Sequence, residues 1–294
     1  MELRQLAYVV AVVDHGGFTR AAAEVHVAQP SLSQAVRSLE RDLGVELFHR
    51  VGRGVVLSAA GEALLGPARQ ALRSVEIARA AVLAVTGLER GHLDLVALPT
   101  LAVDPTAALV GAFRAAHPDV IVRLAEPEDV AEVIAMVRDG RCEIGLADID
   151  DPGPELVTEP LVVQQYRVVC PPGVRIGRGD RVTIAQLADI PLVTTPSGTS
   201  TRQLLDRAFA DAGFEPKVAV ETGQREALLP LVLAGAGTAL LPVPLALEAA
   251  ARGATVLRLQ PKLTRAVRLV YRSGPLSPAA QAFIVLARSR RSKG

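Results

Sequence analysis

Phe18-Thr19-Arg20-Ala21-Ala22-Ala23-Glu24-Val25-His26-Val27-Ala28-Gln29-Pro30-Ser31-Leu32-Ser33-Gln34-Ala35-Val36-Arg37-Ser38-Leu39-Glu40 reads as two short helices joined by a tight connection. Thr19 is expected to cap the first, because its hydroxyl can accept from free backbone N–H groups. Ala21, Ala22 and Ala23 are small enough to let another helix approach. Val25 and Val27 close the turn. Pro30 suits the first turn of the next helix, where its missing N–H loses nothing. Leu32, Val36, Leu39 and Leu43 recur at helical spacing and are expected to form the buried stripe. Gln29, Ser31, Ser33, Gln34 and Arg37 lie off it and face outward. Gln pairs with adenine, Arg with guanine or phosphate, and Ser with either base edges or phosphate. A helix with such a leading end is built to enter the DNA major groove.

The flanking sequence supports this unit. Leu3, Leu6, Val10 and Val13 give a first helix one apolar face, and Gly16-Gly17 ends it. Gly44 stops the third helix. Leu47-Phe48-His49-Arg50 and Val55-Val56-Leu57 flank Val51-Gly52-Arg53-Gly54, which reads as a hairpin. No acidic residue lies between Glu46 and Glu62, so Arg50 and Arg53 stand unopposed. Outward Ser, Gln and Arg on a helical hairpin alone equally describe a solvated surface. The complete order of helix, Gly-Gly, second helix, Gln-Pro-Ser helix and Arg-bearing hairpin favours a winged helix-turn-helix. The candidate DNA contacts are Thr19, Arg20, Gln29, Pro30, Ser31, Ser33, Gln34, Arg37, Arg50 and Arg53.

These same residues resemble the N-terminal signature of the LysR-type transcriptional regulators. The likeness is carried by Met1 to Leu6, Phe18 to Ala22, Val27 to Ser33, Leu39-Glu40, Leu43 to Arg50 and Leu57 to Gly61. It is dense over some 60 residues and looser to the C-terminus. Two positions depart from the pattern. Ala28 stands where Ser is common, which removes a cap from the recognition helix. Gln34 stands where Arg is common, which puts the operator sequence in doubt.

Composition sets the limits. The chain has 294 residues, half of them hydrophobic, and a formal net charge of +1. Residues 1–60 hold six Arg and six acidic residues, so DNA affinity has to come from placed Arg20, Arg37, Arg50 and Arg53 and from dimerisation, not from bulk charge. The 29 Arg against 3 Lys are read as genome composition. Cys142 and Cys170 lie far apart in apolar, strand-like sequence, with no metal-ligand spacing. Two reduced core thiols are expected; a redox-sensing pair is the alternative, although neither cysteine has a clear basic neighbour in sequence. No metal and no cofactor is expected. The N-terminus does not read as a signal peptide. Ala227 to Leu247 runs 21 residues without charge, a length that could span a bilayer. Its three prolines and Gly235-Ala236-Gly237 make it instead helix, glycine turn, short buried strand and a further turn. A cytoplasmic location follows as an expectation.

The domains are expected at 1–57 (winged helix-turn-helix), 58–90 (linker helix and hinge) and 91–294. Ser58 can cap the linker helix, and Glu62 suits its dipole. Leu64, Ala68, Ala71, Val75, Ala78, Val82 and Val85 alternate steps of four and three, a heptad seam on a helix roughly 40 Å long. Pro67 is expected to bend it. The seam could pack on its own protein; the family resemblance favours a two-helix dimer contact. Leu88-Glu89-Arg90-Gly91 reads as the hinge. Beyond it strands alternate with helices, and the mostly continuous apolar strands predict parallel sheet covered on both faces. The resemblance implies two α/β lobes similar to periplasmic binding proteins: lobe I at 91–161 and 267–294, lobe II at 162–266.

Ligands of open α/β sheets bind beyond the carboxyl ends of strands. Two runs fit: Leu98-Pro99-Thr100-Leu101, and Thr194-Thr195-Pro196-Ser197-Gly198-Thr199-Ser200, whose hydroxyls and helix start favour an anion. The second is also an ordinary Ser/Thr-rich cap. The resemblance implies that Thr100 and the Ser197–Thr199 turn face each other across a cleft and contact an effector. Gln224 and Asp148 are further candidates. The effector-site set is thus Thr100, Leu101, Asp148, Thr195, Ser197, Gly198, Thr199 and Gln224. Asp148 would repel a plain dianion, which keeps an effector with an amine or several hydroxyls open. The implied partners are double-stranded promoter DNA, a small metabolite and copies of the same chain as homodimer or homotetramer, with RNA polymerase a further candidate and no membrane. An enzyme is the first rival. Residues 91–294 hold only His92 and His117, with no GxSxG, P-loop or GxGxxG, so no catalytic residue is expected. A secreted solute receptor, the second rival, leaves the helix-turn-helix without a role.

Overall fold

The computed structural model describes residues 1–52, 54–85, 91–177 and 179–291. Arg53 and most of the expected hinge lie outside them. Among the described residues, no helix is long and apolar enough to cross a membrane. The N-terminal unit comprises α1 (Leu3–Asp14), α2 (Phe18–Glu24), α3 (Gln29–Leu43), β1 (Phe48–Val51), β2 (Gly54–Leu57) and the long α4 (Ala59–Val85). The remainder comprises β3 (Gly91–Ala97), α5 (Pro99–Leu101), α6 (Ala107–Ala116), β4 (Val120–Ala125), α7 (Val130–Arg138), β5 (Ile144–Ala147), β6 (Leu156–Cys170), β7 (Arg181–Val182), α8 (Ile184–Leu187), β8 (Leu192–Thr194), α9 (Ser200–Asp211), β9 (Val218–Glu221), α10 (Leu228–Leu233), β10 (Ala239–Pro242), α11 (Val243–Ala251), β11 (Thr255–Leu259), β12 (Thr264–Arg272) and α12 (Pro278–Arg291).

The three-helix core forms around Leu6, Val9, Val12, Leu32, Val36, Leu39 and Leu47. Two expected stripes shift. In α1 the buried residues are Gln5, Leu6, Val9, Ala11 and Val12, while Leu3, at the helix start, is 46% exposed. In α3 the stripe stops at Leu39; Leu43, in the last turn before the left-handed Gly44, is 40% exposed. Gly17, not Thr19, occupies the N-cap of α2, and Thr19 lies inside its first turn. Pro30 does sit in the first turn of α3, whose N-cap Ala28 makes no side-chain bond. Ser58 starts α4 as expected: its Oγ accepts from the Gly61 N–H at 3.1 Å and donates to the Glu46 carbonyl at 2.6 Å. Gly61 is forced by close approach, since a Cβ there would stand 2.2 Å from the Leu47 carbonyl oxygen.

The first half of the α4 seam packs on its own protein: Ala68 is buried, and Leu64 and Ala71 are partly buried in the helix-turn-helix core. Further along, Ala78 and Val82 are exposed. Pro67 lies within α4, which continues through it. Arg73 fastens α4 to the C-terminal part, donating from Nη2 to Asp94 Oδ2 at 2.7 Å and to the carbonyls of Gly140 and Arg141 at 3.3 Å each.

The C-terminal part has two cores. One gathers Leu93, Phe113, Ile144, Leu161, Val267 and Phe283. The other side holds Val168, Phe209, Leu240 and Leu257, with a companion cluster around Val169, Val232 and Ala239. The chain therefore crosses between lobes within β6, after Leu161, and again within β12, before Val267. The expectation of parallel sheet holds only in part. β3–β4, β3–β5, β8–β9 and β11–β7 are parallel. β12 pairs antiparallel with β5 and β6, and β10 and β11 pair antiparallel with β6. The two crossing strands run in opposite directions, which makes the sheet mixed. The further turn expected after the buried strand is helix α11: Pro244 sits in its first turn, where proline's fixed φ favours a helix.

Candidate functional site

The first site is the outer face of α3. Leu32, Val36 and Leu39 are at most 1% exposed and fix the helix. Gln29, Pro30, Ser31, Gln34 and Arg37 are exposed, and Ser33 is partly so. Gln29 Nε2 donates to Ser33 Oγ at 2.8 Å, and Arg37 Nε donates to the Ser33 carbonyl at 3.3 Å. The wing is anchored on α2 and the second half of α3. The Leu47 N–H donates to Glu40 Oε1 at 2.8 Å, and Phe18 and Phe48 meet edge to face at 5.4 Å. A groove of about 930 Å³ between wing and helices is lined by Thr19, Arg20, Gln29, Pro30, Ser33 and Arg37, among others. Ser31 and Gln34 lie outside its lining. Arg20 turns back, donating to the Gly16 carbonyl at 3.0 Å. Arg50 pairs with Val55 in the wing; its side chain and Arg53 fall outside the described structure.

The second site lies between the lobes. A cavity of about 480 Å³ is lined from lobe I by Pro99, Thr100, Val103 and Glu128, and from lobe II by Thr195, Thr201, Arg225 and a run of leucines. Beneath Thr100 lies Arg265, 2% exposed. Its Nη2 donates to Thr100 Oγ1 at 2.6 Å and to Gln164 Oε1 at 2.7 Å. The Tyr166 hydroxyl donates to the same Gln164 oxygen at 3.1 Å, and the Arg265 guanidinium stands 5.6 Å from the Tyr166 ring centre. Burial pulls the Arg265 pKa down and pushes the Tyr166 hydroxyl up. Asp148 follows β5, and burial raises its carboxyl above the ordinary range, opposed by the Arg265 charge. Across the mouth, Arg225 grips Glu128 through both guanidinium ends, one at 2.9 Å. That bond holds the Glu128 carboxyl below its usual value, outweighing the opposing effect of burial. The Ser200 N–H also donates to the Glu128 carbonyl at 3.2 Å.

Of the sequence-derived set, Thr100 and Thr195 share this cavity. Asp148 is half-buried and close enough to Arg265 to influence its charge, but does not line it. Thr199 caps α9, accepting from the Arg202 N–H at 3.3 Å and bonding Thr195 Oγ1 at 2.7 Å. Ser197, Gly198 and Gln224 are exposed outside the lining, and Leu101 is fully buried in the lobe I core. Sequence reading missed Glu128, Gln164, Tyr166, Arg225 and Arg265. Each sits in a segment with no motif, and only the packing of β6 against β12 and of lobe on lobe assembles them.

The match to known families completes the picture. Residues 3–62 match the family described as bacterial regulatory helix-turn-helix protein, lysR family, and residues 86–292 match the LysR substrate binding domain. The chain belongs to the LysR family. It is 32% identical to the HTH-type transcriptional regulator TfdS of Cupriavidus pinatubonensis, over 100% of this chain and 99% of that protein. It is 34% identical to the SDS degradation transcriptional activation protein of a Pseudomonas species, over 96% of this chain and 94% of that protein. Its structure is similar to a full-length OxyR variant from Pseudomonas aeruginosa, at a TM-score of 0.80 and 25% identity, covering 99% of this chain and 95% of that one. The LysR regulator CbnR shares the fold at a TM-score of 0.70 and 24% identity, with full coverage of both chains. This LysR-family chain is thus a DNA-binding transcriptional regulator with an effector-binding domain, not an enzyme.

Proposed function

We propose that this LysR-family regulator reads its operator with Gln29, Ser31, Ser33, Gln34 and Arg37 at the leading end of α3. Thr19, Arg20 and Pro30 position that end, and the wing arginines Arg50 and Arg53 hold phosphate. The observation that carries this is the solvent-facing tip of α3 on a rigid apolar base: Gln29, Ser31, Gln34 and Arg37 are exposed while Leu32 and Leu39 are fully buried. Two copies present two such helices to paired half-sites, and the exposed Ala78 and Val82 of α4 offer the contact between them. CbnR, which has this fold, is known in complex with its target DNA.

In the same reading a metabolite enters the cleft at Thr100 and Thr195, with Asp148 and the Ser197–Thr199 turn at its edge and Gln224 beside it. The effector shifts the lobe arrangement because it binds one arrangement better than the other. The chain works in the cytoplasm, where its operator is. Cys142 and Cys170 take no part, being buried in separate lobes.

Binding to the DNA upstream of the gene, measured over a salt series, tests the reading. Wild type should prefer that DNA over random sequence and weaken steeply with salt. Arg37→Ala should lose about 1–3 kcal/mol of affinity and part of the sequence preference. Equal binding to random DNA by the wild type would end the proposal.

A further inference from the structure

The cleft carries more information than its position. Among the described residues, eight buried side-chain nitrogen or oxygen atoms lack a hydrogen-bond partner. Five belong to residues that line this cleft or bond to its lining: Nε of Arg225 and Oγ1 of Thr201 on the wall, Nε and Nη1 of Arg265, which holds Thr100, and Oγ of Ser200, whose N–H holds the Glu128 carbonyl. The three guanidinium nitrogens can only donate. The two hydroxyls sit at the start of the 12-residue helix α9, whose dipole also favours negative charge. A buried donor without an acceptor is costly, and a buried cation without an anion more so.

Arg265 is the sharper case. Its bonded partners, Thr100 and Gln164, are both neutral, and the Asp148 carboxylate, which favours its charge, makes no ion pair or hydrogen bond with it among the described residues. Arg225 adds a second positive charge close enough to disfavour the first. Thr100 relays this charge to the cavity: its oxygen accepts from Arg265 and its side chain lies on the cavity wall.

The remaining walls limit the partner. Leu228, Leu229, Leu240, Leu241 and Leu245 make the lobe II side apolar, and Val103 adds to it from lobe I. Glu126 and Glu226 also line the cavity and repel a second negative group, while Glu248 there is paired with Arg252 at 3.6 Å.

Building on the effector reading above, we infer that the cleft takes a small monocarboxylate with an apolar body, its carboxylate received by Thr100, Thr201 and Arg225 over the charge of Arg265. The apolar body lies along the leucines.

The test uses the full chain and four probes at constant ionic strength: hexanoate and cyclohexanecarboxylate, each beside its amide. At concentrations up to roughly 20 mM, enough to reveal a Kd of about 1 mM, the acids should raise the melting temperature by several degrees and the amides should not. Arg265→Gln should weaken acid binding about tenfold or more, as loss of a charge-assisted contact does. Arg265→Met without ligand should melt at or above wild type, because an unpaired buried charge has been removed; this keeps the test meaningful if the Gln variant folds poorly. Amides acting as strongly as acids, an undiminished acid response in the folded Arg265→Gln protein, or no acid response in wild type would overturn the inference. A hexose and a diamine are run alongside, with operator binding read in parallel. If either shifts melting and operator binding where the acids fail, the monocarboxylate falls and the effector reading stands. If DNA binding is normal but responds to no class of probe, both fall.

Discussion

Arg73 on α4 donates to Asp94 on β3 at 2.7 Å, and this contact couples the linker helix to lobe I. Both side chains are largely buried, 16% and 12% exposed, and Asp94 also faces His92 at 3.4 Å and Arg123 at 3.8 Å. Asp94→Ala therefore strips the counter-charge from several groups at once and should cost about 1–3 kcal/mol. Arg73→Ala should cost less, and the double variant should be clearly non-additive in thermal melts. Metabolite binding should survive in both while its effect on operator affinity falls.

Glu128 and Arg225 close the cleft by an ion pair whose carboxylate is 54% exposed, so the pair is worth roughly 0.2–1 kcal/mol. The Glu128 pKa is lowered in the folded chain from 4.5. A depressed carboxyl contributes stability above its unfolded pKa and loses it as pH falls through the folded one. The closed arrangement should therefore loosen below about pH 4.5, seen as a larger radius of gyration by X-ray scattering. Glu128→Gln should be loose already at neutral pH. Asp148, whose pKa is raised, acts in the opposite sense, its charged form opposing the fold as pH rises.

Ala28 holds the N-cap of α3 in extended backbone with no side-chain bond. Ala28→Ser should supply one and stabilise by about 1 kcal/mol. The preceding His26 has a φ of 54°, in the left-handed region. His26→Gly relieves that strain at the cost of a looser unfolded chain, so its net gain should be smaller, at most about 1 kcal/mol. Both gains are read in denaturant titrations.

The thiols of Cys142 and Cys170 are buried, and burial raises both pKa values, that of Cys142 to about 12. A thiolate is scarce at neutral pH, so neither should react within minutes with a disulfide reagent in the native chain. Both should titrate once guanidinium unfolds it.

The DNA-binding unit was largely legible because its signals are local: two glycines, a proline in a first turn and an apolar stripe on α3. Its errors were the phase of the α1 stripe, the cap of α2 and the helix ends at Leu3 and Leu43, which are exposed. The lobes were legible as alternating elements, but the long β6 departs from the continuous apolar strands expected there. Its mixture of buried, half-buried and exposed positions between Leu156 and Tyr166 breaks the continuous apolar run that marked the other strands. The cleft was half-legible for the same reason. Thr100 and Thr195 follow strand ends and could be located by rule, whereas Arg265 and Gln164 meet across 101 residues of chain and carry no local sign.

The two lobes share one antiparallel ribbon, with β12 paired to β6 from Thr264–Gln165 to Arg272–Leu156 and an irregularity at Val267/Arg268. Such a ribbon behaves as a torsion bar: it resists stretching but yields to twist. Relative motion of the lobes is then channelled into one rotation whose stiffness is set where the bar is interrupted. Substitutions there would retune how sensitively the regulator answers its signal, with every ligand contact left intact.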